Sequence, residues 1–360
     1  MRIVERYILK NFLFPLIYIS ASFILLFIIV DIFGHLDEFI RAKAELRQIL
    51  NYYFYYLPLI FVQVLPFAGL LASIYSLTNL QRYNEITALH SCGIGLFKII
   101  RPYIITGLFL SAFTYVLNEK VNPHAFRTTY NLKESLTNKK SQKGFLENVT
   151  LYGKDNRIIY ARRYDIEKKI LYDIVILEHD INQILINKIT ARLAIWENKT
   201  WKLYGAVLYR LDPEGNFVGE PVYLDDRTIE LLESPEDIIR NDIIAEAMSI
   251  SQLSQYIERF KGSSDKIVRR FQVELEQKKS FPSYVLVLIL IGIPFGLVRQ
   301  NVGKIMCLGI AFATGVLFYA LNAISLALAK AGFLPPSISA WLVPLVFIIF
   351  SIILLKRSPH

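Results

Sequence analysis

The chain has 360 residues, a formal net charge of +9 and a hydrophobic share of 54%. That share, with a mean hydropathy of +0.38, excludes an ordinary soluble protein, in which roughly 45–50% of residues are apolar. Two cysteines, Cys92 and Cys307, exclude a disulfide framework, and neither they nor the five histidines have the spacing of a metal site.

The apolar surplus lies at the two ends, and the middle reads like a soluble protein. A membrane-spanning helix needs about 20 mostly apolar residues. Six segments qualify: 12–33, 56–77, 99–117, 281–298, 305–328 and 338–355. The first follows Met1–Arg6 without a small-residue cleavage site and reads as a retained span. Pro66 and Pro294 are kinks that a helical bundle tolerates.

Lys and Arg in the short flanks set the orientation. Arg2, Arg6, Lys10, Arg82, Lys98, Arg101, Arg299, Lys304, Lys356 and Arg357 fall on one side. The opposite loops hold Arg41, Lys43, Arg47 and Lys330, offset by Asp37, Glu38 and Glu45. The richer side is predicted to be cytoplasmic, with both termini there. The positive net charge then needs no nucleic acid to explain it. Tyr52, Tyr53, Tyr55 and Tyr56, where the second span begins, read as an aromatic belt at the headgroups. Asp31, near the end of the first span, is either a wetted end residue or a contact to a partner helix.

The stretch Gln81–Ile94 between spans two and three is too amphipathic to be a span and too apolar for a floppy loop. Ile86, Leu89, Cys92 and Gly93 fall at helical spacing, which predicts a short surface helix with one apolar side. That helix either docks in a groove of a cytoplasmic motor subunit, with Glu85 pairing a basic residue there, or lies on lipid.

The predicted insert covers 118–279, on the outer side. Its first part, 118–142, is helical. Strands follow at 157–162, 169–177 and 201–209, separated by turns at 153–156, 197–199 and 212–216. Short strands at this spacing predict a sandwich or jellyroll. After Ser249 the period returns to helix. Ser251 is the predicted cap of a helix over 252–260, and a second helix over 265–279 leads into the fourth span.

No catalytic constellation is present. The closest approach to a P-loop, Gly296 to Gly303-Lys304-Ile305, has too many intervening residues and lacks Ser or Thr. There is no G-x-S-x-G elbow and no H-E-x-x-H. The chain is therefore predicted not to be an enzyme and to need no cofactor. Any ATP must be hydrolysed on another subunit.

Several runs, in order and with this topology, resemble one family. They are Arg6-Tyr7 before span one, Asn84-Glu85-Ile86-Thr87-Ala88-Leu89 with Cys92-Gly93, Phe271–Leu275 with Lys279-Ser280-Phe281-Pro282, Gly292-Ile293-Pro294-Phe295-Gly296, and Leu334-Pro335-Pro336 with Ala340-Trp341-Leu342. Together they resemble the permeases of the lipopolysaccharide export ABC transporter, LptF and LptG (YjgP/YjgQ), over essentially the whole chain. The late-span motifs lean towards LptG. The resemblance implies an α+β membrane protein of the bacterial inner membrane. It would have six transmembrane helices, with a periplasmic β-jellyroll inserted between helices 3 and 4. The implied divisions are 1–117 with a coupling helix at about 82–95, 118–279, and 280–360. The implied partners are a cytoplasmic ABC ATPase dimer, a second permease of the same family, a single-span periplasmic bridge subunit and lipopolysaccharide. Glu85, Ile86, Leu89 and Gly93 are the implied ATPase-coupling residues. Relatives meet the lipid's phosphates with basic residues near the outer end of span one. This chain has Asp31 where a lysine is expected, so Arg41, Lys43, Lys278 and Lys279 become the candidates. The last two are equally ordinary snorkelling anchors.

Two other readings stay open at this point. One is a mechanotransmitting membrane subunit of a different ABC system. The other is a membrane-anchored enzyme with its site in the β insert, against which the missing acid, base and nucleophile clusters count.

Overall fold

A computed structural model describes residues 3–42, 44–136, 145–153, 157–165, 168–179, 185–197, 200–212, 216–224, 228–229, 247–259, 265–297 and 304–357. The helices before the sheet are α1 (Ile3–Arg41), α2 (Leu46–Arg82), α3 (Glu85–Ser91), α4 (Leu96–Val116) and α5 (Asn122–Leu136), the last two joined by a π-helical turn, Leu117–Val121. The strands are β1 (Phe145–Gly153), β2 (Arg157–Asp165), β3 (Ile170–His179), β4 (Leu185–Glu197), β5 (Thr200–Tyr204), β6 (Ala206–Leu211), β7 (Phe217–Leu224) and β8 (Thr228–Ile229). The closing helices are α6 (Ile250–Arg259), α7 (Asp265–Ser280), α8 (Ser283–Gly296), α9 (Lys304–Ala331) and α10 (Pro336–Arg357). The chain divides into two units, Met1–Thr137 with Val273–His360, and Asn138–Gln272.

The first unit is a helical bundle. Among the described residues five helices are long and apolar enough to cross a membrane, and six when α7 and α8 are taken as one broken span. The predicted fourth span over 281–298 corresponds to α8, but the predicted helix over 265–279, α7, enters it at an angle. The helix breaks at Phe281–Pro282 and bends by 53°, because Pro282 has no N–H to continue the ladder. With 14 residues, α8 rises only about 21 Å, short of a hydrocarbon core of about 30 Å.

Apolar on every side, α8 belongs inside the bundle. Tyr284, Val285, Val287, Leu288, Ile289 and Ile293 are each 0–1% exposed. Glycines let it approach α2: a Cβ on Gly292 would collide with Ser73 Oγ and come within 3.0 Å of Leu70 O. Small residues at such a crossing are how membrane helices gain close contact without a hydrophobic driving force. Pro294 removes the donor that Leu290 O would receive from the next turn. Ser351 Oγ of α10 supplies it instead, at 2.7 Å. By contrast α1 keeps a largely exposed apolar surface, including Phe14, Ile17, Leu25 and Val30.

The second unit is one antiparallel sheet. Strands β1 to β5 pair in sequence order. On the same edge of β4, β5 pairs its end and β6 its beginning, in one unbroken register from Glu197↔Thr200 to Asn187↔Arg210. β5 and β6 are therefore one strand interrupted at Gly205, which takes φ +63°. The sequence reading of a single loosely alternating strand over 201–209 reflects that interruption.

The interruption crosses the sheet. Normal alternation would bury every second residue, yet Ala161 and Tyr164, Leu171 and Ile174, Ala191 and Ala194, and Leu203 and Ala206 are all buried. Each pair is three apart, and the skipped positions Arg162, Asp173, Arg192 and Gly205 stand at one level of the register. Asp173 also has positive φ, +50°. One residue out of phase on each strand creases the sheet, so residues from both sides of the crease share a single core around Trp201. A groove of about 530 Å³ runs along the crease, lined by Asp173, Thr190, Arg192 and Tyr223 among others.

The helix after the sheet starts earlier than predicted. Its cap is Ser249 and not Ser251: Gln252 N–H donates to Ser249 Oγ and Ser249 N–H to Gln252 Oε1, both at 3.2 Å. This reciprocal pair is a capping box. The predicted turns at 153–156, 197–199 and 212–216 fall largely outside the described residues.

Candidate functional site

The seven-residue α3 sits where the chain passes from α2 to α4. Asn84, just before it, has φ +57°, a left-handed conformation that a short polar residue tolerates. At its other end Gly93 N–H bonds His90 O at 2.9 Å and Ile94 N–H bonds Leu89 O at 3.0 Å. With φ +77° at Gly93, this is a Schellman cap. No atom lies within 4 Å of the position of a Cβ there, so glycine is needed for its backbone and not for space.

The apolar side of α3 turns into the bundle. Ile86 is 4% exposed and shares a core with Ile8, Phe12, Ile99 and Tyr103, while Leu89 and Ile94 pack against it. Thr87, Ala88, Ser91 and Cys92 face out. Glu85 is half-buried and accepts a hydrogen bond from Tyr7 Oη at 2.9 Å. Two residues before Tyr7, Glu5 pairs with Arg101 of α4 at 3.4 Å. The beginning of α1 is thereby tied to both α3 and α4.

At the far end of α1 a second polar chain joins three helices. Tyr53 Oη of α2 donates to Asp31 Oδ2 at 2.8 Å. Lys133 Nζ of α5 lies 2.8 Å from His35 Nε2, and His35 Nδ1 lies 2.9 Å from Asp31 O. An ammonium only donates, so Nε2 accepts and the ring proton sits on Nδ1. Asp31 is only 14% exposed and held within this chain, which a carboxylate near the end of a span requires.

The predicted site residues divide accordingly. Glu85, Ile86, Leu89 and Gly93 fall on one helix and its cap. Arg41 is exposed in the last turn of α1, while Lys278 and Lys279 close α7, on a separate helix. Lys279 Nζ donates to Glu276 at 2.7 Å. Lys43 lies outside the described residues. Sequence reasoning missed Tyr7, Tyr53 and Lys133. The i, i+4 spacing of Asp31 and His35 was the available signal for the second chain.

Spans flanking an antiparallel β region define a multi-pass membrane protein with a β-rich insert. Residues 6–357 match the family described as lipopolysaccharide export system permease LptF/LptG, and the chain belongs to that family. The match is to the family as a whole, LptF and LptG alike. No curated protein matches the chain. Membership makes it a multi-pass inner-membrane component of a lipopolysaccharide export system.

Proposed function

We propose that the chain is one of two permeases of an ABC transporter that lifts lipopolysaccharide out of the inner membrane, powered by a separate cytoplasmic ATPase dimer. Residues 1–117 and 280–360 form the membrane part. Residues 118–279 form the periplasmic domain, which passes the lipid to a single-span bridge subunit. The substrate follows from the family. The observation that carries the coupling to an ATPase is α3. It is a short helix between two spans, fixed by Ile86 and Leu89 beneath and offering Glu85, Thr87, Ala88 and Ser91 outward. In this reading Ile86, Leu89 and Gly93 hold the helix in place, and Glu85 meets a basic residue of the ATPase. Aromatic contacts from Phe23 of α1 to Phe67 of α2, and from Phe67 to Phe312 of α9, support an apolar wall for acyl chains. Arg41, Lys43, Lys278 and Lys279 are the candidates for the phosphates.

The test is purification in mild detergent with native mass spectrometry. An ATPase dimer, a second permease and bound lipopolysaccharide are expected to co-purify, and Glu85→Ala is expected to release the ATPase and stop transport. An ATPase without lipid would point instead to mechanotransmission, and a chain that purifies alone would sink the reading.

A further inference from the structure

We propose that Tyr7 is a positioning residue for Glu85: its hydroxyl aims the carboxylate at the ATPase, making the first turns of α1 part of the coupling site. The inference rests on the role proposed for Glu85 above. Neighbouring positions on α1 and α3 interlock. Ile8 is 0% and Ile86 4% exposed in one core, which fixes the rotation of both helices. The residue before each, Tyr7 and Glu85, is then brought to the surface at the same level, where the phenol donates to Oε2 at 2.9 Å. Glu5, on the same stretch of α1, pairs with Arg101 of α4 at 3.4 Å, so α1 cannot turn about its axis without disturbing α3 and α4 together.

The bond leaves Glu85 free to act outward. A carboxylate has two oxygens and about four lone-pair sites, and Tyr7 engages one oxygen. The other stays available to a basic group on a docked subunit. A glutamate without Tyr7 would have to give up more rotamer freedom on docking, which weakens association. Tyr7 is 46% exposed, so loss of the hydroxyl alone leaves the packing of Ile8 and Ile86 undisturbed.

The test is a double-mutant cycle in the assembled complex, with both permeases in nanodiscs and ATPase affinity and lipopolysaccharide-dependent ATP hydrolysis as readouts. Tyr7→Phe in the natural background is expected to weaken ATPase association about fivefold, as loss of one exposed charge-assisted bond does. In a Glu85→Ala background Tyr7→Phe is expected to change nothing further. Glu85→Gln keeps an oxygen for Tyr7 but loses the charge, and is expected to weaken association whether residue 7 is Tyr or Phe. An equal loss from Tyr7→Phe with and without Glu85 would make Tyr7 merely structural and overturn the inference. A silent Tyr7→Phe beside a damaging Glu85→Ala would overturn it too while leaving the coupling role of Glu85 intact. If Glu85→Ala is itself silent, the coupling reading falls, and this inference with it.

Discussion

The bond from Ser351 Oγ to Leu290 O makes a quantitative prediction, because its cause lies one turn further along α8. Pro294 has no N–H, so Leu290 O lacks its helical donor. Ser351, 1% exposed, supplies one at 2.7 Å. Ser351→Ala removes that donor and leaves a part-buried carbonyl unsatisfied. Polar contacts between membrane helices average about 0.6 kcal/mol and reach about 1.7. An orphaned buried acceptor sits towards the upper end of that range, so the expected cost is about 1 kcal/mol. Pro294→Ala restores an N–H at position 294, which can serve Leu290 O from within the helix. The same Ser351→Ala change should then cost close to nothing in the Pro294→Ala background. Reversible unfolding of the purified protein in mixed micelles measures all four corners of the cycle. An equal cost for Ser351→Ala with and without Pro294 would refute the reasoning, since the serine would then be acting through something other than the proline-freed carbonyl.

Three further outcomes are expected. Gly292→Ala places a methyl against Ser73 Oγ and Leu70 O and should destabilise the bundle by about 1–3 kcal/mol; a melting point unchanged by it would mean that α2 and α8 do not approach closely there. Ser249→Ala removes one arm of the capping box at α6 and should cost about 1 kcal/mol, read as faster hydrogen exchange over Ile250–Arg259. Tyr53→Phe removes a donor from the largely buried Asp31 and should lower thermal stability, whereas the same change in an Asp31→Ala background should be nearly silent; additive effects would show that the two side chains act independently.

Composition and period made the architecture legible, because spans and strands both announce themselves by hydrophobic spacing. What stayed hidden depended on single atoms or on neighbours remote in sequence. The break at Phe281–Pro282 falls where the charged stretch Glu276–Lys279 meets the apolar run of the fourth span, and the sequence reading led the helix over 265–279 into that span although the proline between them interrupts the ladder. The crease in the sheet was hidden more deeply. Gly205 was visible as a glycine in a strand, but Arg162, Asp173 and Arg192 look like ordinary exposed charges. Only the pairing register places them at one level. The cap at α6 was missed by two residues because Ser249 and Ser251 are equally good caps on their own, and only Gln252, three residues after Ser249, distinguishes them.

The short helix α3 shows where spacing stops being informative. Ile86 and Leu89 at i and i+3 establish that α3 has an apolar side, and the same spacing suits a partner's groove, a lipid surface or the chain's own core. The choice depends on what lies beneath, and here that is Ile8, Phe12 and Ile99, which belong to two other helices. Once the apolar side is committed inward, a docked subunit can meet only what remains, a half-buried carboxylate and a strip of small side chains. Small side chains let a partner approach the helix backbone closely but contribute little buried area. In the docking proposed above, much of the specificity would then come from Glu85 and from whatever fixes its direction. A residue far off in sequence, Tyr7, is the one described side chain that bonds it, so the chemistry of this helix is completed by the first turns of the chain.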